Sequence, residues 1–382
     1  MHSWLLPEYI ADILPAEARL VEERRRALLD LFHVHGYQLV SPPLIEFVES
    51  LVTDHELDLR TFKLTDQLSG RQMGVRADIA PQVARIDAHM LNRDGVVRLC
   101  YAGSVLHTLP VSLLGSREQL QLGAEIYGYA GVEADVEVIG VLLDALSLLE
   151  VGAIQLDIGH IGIFRALIAH FGVSDSVEQQ LFAALQGKDE ASTQSVLEQL
   201  PGATADCFRL LTTLHGGVDV IEQARKGLPP LDGVLAALDQ LAALGKLLQQ
   251  KDVELYFDLV ELRGAHYHSG LVFAAYAPGW PNSIARGGRY DNLGVRFGRG
   301  RPATGFSLDL RELLKGAHAP VAANAILAPW KTGDLQLAAS VSALRAQGEV
   351  VIVGFPAEGR QGDPACDREL VQSDGCWIIQ PL

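Results

Sequence analysis

The chain has 382 residues, 48% of them hydrophobic, and 31 Lys and Arg against 47 Asp and Glu give a formal charge of −16. That much apolar material supports buried cores in two or three domains and excludes global disorder. So acidic a surface repels polyphosphate at long range, which argues against a nucleic-acid binder working through a general basic field.

The N-terminal Met1-His2-Ser3-Trp4 lacks the basic segment and long apolar run of a targeting peptide. Gly264 to Ala285 carries no Asp, Glu, Lys or Arg, but Pro278, Pro281, Asn282 and two histidines make it buried strands and turns rather than a membrane span. Cys100, Cys207, Cys366 and Cys376 show no CxxC spacing. They read as reduced thiols, and the chain as a soluble, cytoplasmic protein.

In chain order, Pro15 to His35 is predicted as a helix with Leu20, Leu28, Leu31 and Phe32 on its apolar face, ended by Gly36. A strand begins at Tyr37 and stops at Pro42-Pro43. Short strands meet around Ser69-Gly70 between Phe62 and Val75, Asp78 to Leu91 is helical, and Val96 to Ala102 is a strand. Gln119 to Tyr129 alternates, with Leu120, Leu122, Ala124 and Ile126 on one face and Gln119, Gln121, Gly123 and Glu125 on the other. That pattern fits a polar pocket floor or an ordinary half-solvated strand. A helix over Glu133–Glu150, a strand over Ala153–Ile158 and a helix over Ile161–Phe171 follow. Residues 174 to 250 turn leucine-rich at helical spacing, with a capping-box pattern at Ser176 and Gln179. Strands return at Val253–Val260, Gly270–Tyr276 and from Gly305. A linker is expected at Gly316–Ala323, and a small β-α-β-β unit after it.

Three constellations are candidates for chemistry: Arg76 and Asp78 at a helix start, Arg263 to Gly270, and the glycine turn Gly287-Gly288 flanked by Arg286 and Arg289. Singly, each is more often a surface ion-pair network or an ordinary turn than a site. Together and in order they resemble the class II aminoacyl-tRNA synthetase core, specifically histidyl-tRNA synthetase. Gly36-Tyr37, Pro42-Pro43 and Glu46 resemble motif 1, Val97 to Gly128 motif 2, and Gly305 to Leu313 motif 3. Arg263-Gly264 with Tyr267 is similar to the histidine-specific signature, and Gly287 to Asp291 to the turn before motif 3.

The resemblance implies an α+β fold: an antiparallel sheet core flanked by helices over 1–173 and 251–318, a helical insertion over 174–250, and a truncated α/β anticodon-binding-like domain over 319–382. It also implies a histidine site made of Asp78, Gln121, Glu125, Arg263, Tyr267, His268 and Tyr290. Asp78 and Gln121 suit an α-ammonium, Arg263 a carboxylate, and Glu125 an imidazole N–H. His266 and His268 share a strand face but lack a third metal ligand, so neither metal nor cofactor is expected.

The departures from the synthetases matter as much. Fixed arginines in motifs 2 and 3 hold the ATP phosphates in that family, and transferring phosphoryl charge needs such cations. Here those positions read as Leu106 and Glu312. The segment from 321 to 382 has four Lys and Arg and seven Asp and Glu, a net −3 that makes it a poor tRNA reader. A synthetase-like body with an amino-acid pocket, no phosphate clamp and a shortened last domain resembles the regulatory subunits of ATP phosphoribosyltransferase. That resemblance implies a non-catalytic homodimer inside a hetero-oligomer with a short catalytic subunit, activating it and binding histidine for feedback inhibition. A histidyl-tRNA synthetase with divergent motifs and a stand-alone amino-acid sensor or scaffold are the alternatives.

Overall fold

The computed structural model describes residues 4–51, 55–110, 115–249, 251, 253–262, 268–315, 325–356 and 366–382. Two compact units divide the chain, Met1–Asp12 with Val21–Lys315, and Ile13–Leu20 with Gly316–Leu382. The first is built on a nine-stranded sheet in the order Gln38–Leu39, Val97–Leu106, Glu118–Tyr127, Ala303–Asp309, Ala285–Arg289, Leu271–Tyr276, Gln155–His160, Glu254–Asp258, His215–Gly216. Its centre is antiparallel; Gln38–Leu39 pairs parallel to Val97–Leu106, and Gln155–His160 to Glu254–Asp258. This is the α+β arrangement expected from the sequence.

The first helix runs Pro15–Val34 and buries Leu28 and Phe32 completely, with the Phe32 ring edge-on to Phe306. Gly36 ends it at φ +85°, a left-handed conformation that glycine adopts without steric cost. The predicted Asp78–Leu91 helix is instead an α-helix over Ala80–Arg85 continuing as a π-helix over Ile86–Leu91. Strand Val97–Leu106 runs four residues past its predicted end, because it pairs along its whole length with Glu118–Tyr127.

Helices dominate residues 175 to 248: Asp175–Gln186, Glu190–Leu197, Gly202–Thr213, Asp219–Gly227 and Asp232–Leu248. The first is preceded by Ser174 as N-cap, so Ser176 and Gln179 lie inside its first turns rather than forming a capping box.

The Gly287-Gly288 pair, read as a turn, is a central strand. Ala285–Arg289 lies between Leu271–Tyr276 and Ala303–Asp309. Glycine serves close approach here: a Cβ on Gly287 would overlap the Phe273 ring and the Gly305 carbonyl, and one on Gly288 would come 2.8 Å from the His268 ring.

The second unit has a four-stranded sheet ordered Val350–Val353, Ala325–Ala328, Cys366–Ser373, Cys376–Pro381, with the helix Leu335–Ala346. Ile326, Ala328, Leu337, Val341, Val351 and Leu370 form its core. Strand Cys366–Ser373 is not predicted from the sequence: Asp367, Arg368 and Glu369 give it low strand propensity, and pairing on both sides overrides that. The expected linker Gly316–Ala323 lies outside the described residues. Among the described residues no helix is long and apolar enough to cross a membrane.

Candidate functional site

One cavity of about 310 Å³ opens on the nine-stranded sheet, within the range of roughly 300–1,000 Å³ typical of small-molecule sites. Asp78, Gln121 and His268 line it. The strand alternation that puts Gln121 and Glu125 on one face holds, but the two do different work.

Gln121 donates from Nε2 to Asp78 Oδ1 at 2.8 Å, and its Oε1 accepts the Ile79 N–H at 2.9 Å. Asp78 Oδ1 also accepts the Ala80 N–H at 3.0 Å, tying the carboxylate to the start of the Ala80–Arg85 helix. Pair and helix thus fix each other, leaving an anionic, hydrogen-bonding wall.

Glu125 sits behind that wall, 2% exposed and outside the cavity lining. Tyr101 donates to its Oε1 at 3.0 Å and Tyr290 to its Oε2, and the Tyr127 and Tyr290 hydroxyls lie 3.3 Å apart. Burial pushes the Glu125 acid up to about 8, against the opposing pull of the Tyr290 and Tyr101 hydroxyls, with Asp78 adding to the rise. Room for this network comes from glycine: a methyl group on Gly305 would overlap the Glu125 carboxylate, and one on Gly123 the Tyr101 hydroxyl.

Tyr290 is also fully enclosed, and its ring stands edge-on to His268 at 6.5 Å between centroids. Of the seven residues expected to hold histidine, Asp78, Gln121, Glu125, His268 and Tyr290 are therefore brought together. Arg263 and Tyr267 lie outside the described residues, as does His266.

Two cations of the candidate motifs are structural. Arg76 donates to Pro42 O and Ser104 O, both at 2.8 Å. Arg289 is buried against Asp135 Oδ2 at 2.9 Å and the Tyr129 and Gly131 carbonyls at 3.1 Å. Of its glycine motif, Arg286 and Gly287 line the cavity, with Arg286 Nε 2.5 Å from Ser283 Oγ.

The phosphate-clamp positions need one correction. At the end of Val97–Leu106 the cavity-lining residue is His107, not Leu106, because successive side chains point to opposite faces. His107 supplies no fixed charge: its Nε2 is 2.8 Å from Ala77 O, and burial lowers its pKa. Glu312 does line the cavity, 2.5 Å from Lys315 Nζ, while Arg311 turns to Glu118 at 3.2 Å. Asp309 lines it too; burial raises its acid to about 6 although the Leu120 and Arg311 N–H groups favour the anion.

Tyr101, Tyr127, His107, Asp309 and Glu261 are not found from the sequence. The available signal for Tyr101 is its cross-strand partner, since Tyr101 pairs with Gly123, but register is not visible in one chain.

The family model described as Histidyl-tRNA synthetase matches residues 9–313, and that described as ATP phosphoribosyltransferase subunit HisZ C-terminal domain matches residues 323–380. A relative from Ralstonia nicotianae named ATP phosphoribosyltransferase regulatory subunit is 53% identical over 384 residues, covering 100% of this chain and 99% of its own. One of the same name from Cupriavidus necator is 53% identical over 383 residues, covering 100% and 99%. The chain belongs to the ATP phosphoribosyltransferase regulatory subunit family.

Solved structures share this fold. A Bacillus halodurans protein described as an ATP phosphoribosyltransferase regulatory subunit/histidyl-tRNA synthetase superposes with a TM-score of 0.83 at 25% identity, covering 94% of this chain and 95% of its own. Histidyl-tRNA synthetase from Nostoc sp. PCC 7120 gives 0.78 at 17% identity, covering 97% and 92%, and shares the fold. In this family member the cavity wall carries a neutral imidazole, His107, and a carboxylate, Glu312.

Proposed function

We propose that the cavity binds free L-histidine and that the chain is the non-catalytic regulatory subunit of an ATP phosphoribosyltransferase, the first enzyme of histidine biosynthesis, in the cytoplasm. It activates a short catalytic subunit and makes it histidine-sensitive. The observation that carries this reading is the split character of the cavity: the Asp78–Gln121 wall suits an α-ammonium, while Glu312 and neutral His107 offer no cation at the two positions where the synthetases clamp a triphosphate. The alternative, an active histidyl-tRNA synthetase, needs a phosphate clamp at those positions.

In this reading the ligand ring reaches Glu125 when the Tyr290 hydroxyl turns from Glu125 to Tyr127, which is already 3.3 Å away. Arg263, known here from the sequence, takes the ligand carboxylate, with Tyr267 and His268 beside the ring. A homodimer through the motif 1 segment and assembly with the catalytic subunit complete the proposal; no tRNA binding is part of it.

A subunit without its own chemistry acts only by shifting its partner's conformational equilibrium, and such coupling is reciprocal. Mixing purified chain with a short ATP phosphoribosyltransferase catalytic chain should raise the weak activity of the latter and render it sensitive to histidine. Arg263→Ala should leave assembly intact and raise the histidine concentration needed for inhibition. Normal assembly with inhibition at the wild-type concentration would reject the sensor role.

A further inference from the structure

Glu261, on the cavity wall, belongs to an irregular stretch from Leu259 to Leu262, following the strand that ends at Asp258, whose residues are all buried, Glu261 to 3% and Leu262 to 1%. Buried backbone outside a ladder must find partners elsewhere. The helical insertion supplies them. The Leu259 N–H donates to Leu214 O at 3.2 Å, and Gln186 Nε2 reaches Leu262 O at 3.5 Å. Lys188, just past the Asp175–Gln186 helix, places Nζ 2.8 Å from Asp258 Oδ2.

Asp258 is the junction. Its Oδ1 accepts the Val260 N–H at 3.0 Å, and its carbonyl accepts the Glu261 N–H at 3.0 Å. The carboxylate is 4% exposed and Lys188 is the cation beside it. Removing that charge leaves a buried anion uncompensated, and any shift of Asp258 moves the two residues hydrogen-bonded to it.

The neighbouring strand Gln155–His160, whose Gly159 backs onto Glu261, is tied in the same way. His160 Nδ1 accepts the Gly162 N–H, so its Nε2–H donates to Gln240 of the insertion at 2.9 Å. Next along the chain, the Ile161 N–H donates to Gly270 O at 3.0 Å, two residues beyond the cavity-lining His268.

We infer that the helical insertion positions the Glu261 wall of the cavity, with Lys188 acting through Asp258 as a positioning residue, so that ligand affinity and order in the insertion are coupled. The inference rests on the histidine reading of the cavity. Allosteric coupling between two sites typically changes affinity by about 5- to 150-fold.

Calorimetry of histidine binding to the full chain tests it, with Lys188→Met, the charge-keeping Lys188→Arg, and thermal melting of each. Lys188→Met should raise the dissociation constant about 5-fold or more at a temperature where it is fully folded, and Lys188→Arg should return it to wild type. Wild-type affinity in Lys188→Met overturns the inference alone; absence of histidine binding by the wild-type chain overturns the pocket reading and the inference with it. If Lys188→Met does not fold, hydrogen exchange of the wild-type chain decides. Histidine must slow exchange in peptides spanning Asp258 to Leu262 and 181 to 188, and protection confined to the strands of the sheet rejects the coupling.

Discussion

Gly305 shows how tightly single residues are bound to the site. Adding one methyl group there drives it into the Glu125 carboxylate, a group with no empty space to enter. Gly305→Ala should lower stability by about 1–3 kcal/mol, as overpacking does, and abolish histidine binding. Gly202→Ala, at a position with nothing within 4 Å, should instead be neutral or stabilising by about 0.4–1 kcal/mol. Urea titrations of both variants check the contrast. Glu125 itself predicts a pH dependence. The folded chain holds its proton up to about pH 8, the unfolded chain only to the ordinary 4.5. Folded protein therefore binds the extra proton between those values, and this contribution to stability is complete below pH 4.5 and lost as pH rises to about 8. Glu125→Gln should flatten that part of the stability profile. The ionised acid is the stronger acceptor for an imidazole N–H, so histidine binding near pH 7 should release up to about one proton from Glu125 in wild type, a release that Glu125→Gln removes. Calorimetry in two buffers of different ionisation enthalpy measures it.

At the scale of elements, the apolar edge near motif 1 is the clearest unfinished surface. Leu39, Leu44 and Ile45 are 57%, 49% and 44% exposed beside the sheet-edge strand Gln38–Leu39. An exposed apolar edge is a ready template for a second chain, and the proposed homodimer would cover it. Ile45→Glu should shift the chain from dimer to monomer in light scattering at micromolar concentration; a wild-type monomer there would remove this interface. Elements with a strong local signal are legible in the residue order: the helix Ile161–Phe171 is read to the residue, and Gly36 stops the first helix as its conformation demands. Two strands are not. Ala285–Arg289 hides behind glycines that local rules read as a turn, and Cys366–Ser373 behind charges that disfavour strand. In both, pairing partners from distant segments outweigh local preference.

For the whole molecule, the cavity's charge decides what chemistry is closed to it. With Glu312 and neutral His107 at the phosphate positions, the purified chain should catalyse no histidine-dependent ATP–pyrophosphate exchange. Glu312→Arg alone should not restore it, because Asp309 remains on the cavity wall and His107 stays without charge. Exchange above background in either protein would reopen the synthetase reading. Residue order alone determined the helical character of residues 174 to 250 and the placing of Gln121 with Glu125 on one strand face, because these depend on periodicities of 3.6 and 2 that a chain displays locally, whereas the α+β architecture was implied by the resemblance of its ordered motifs to the class II synthetases. The carboxylate of Glu312, where the resemblance to the synthetases calls for an arginine, was also readable, since a carboxylate is a carboxylate wherever it folds. Only the tertiary structure decided that His107 rather than Leu106 faces the cavity, that Glu125 is held by Tyr101 and Tyr290 behind its wall, and that Lys188 reaches Asp258 across seventy residues of sequence. Those facts depend on cross-strand register and on burial, which raises the acid of Glu125 and withholds charge from His107, and neither exists until distant segments meet.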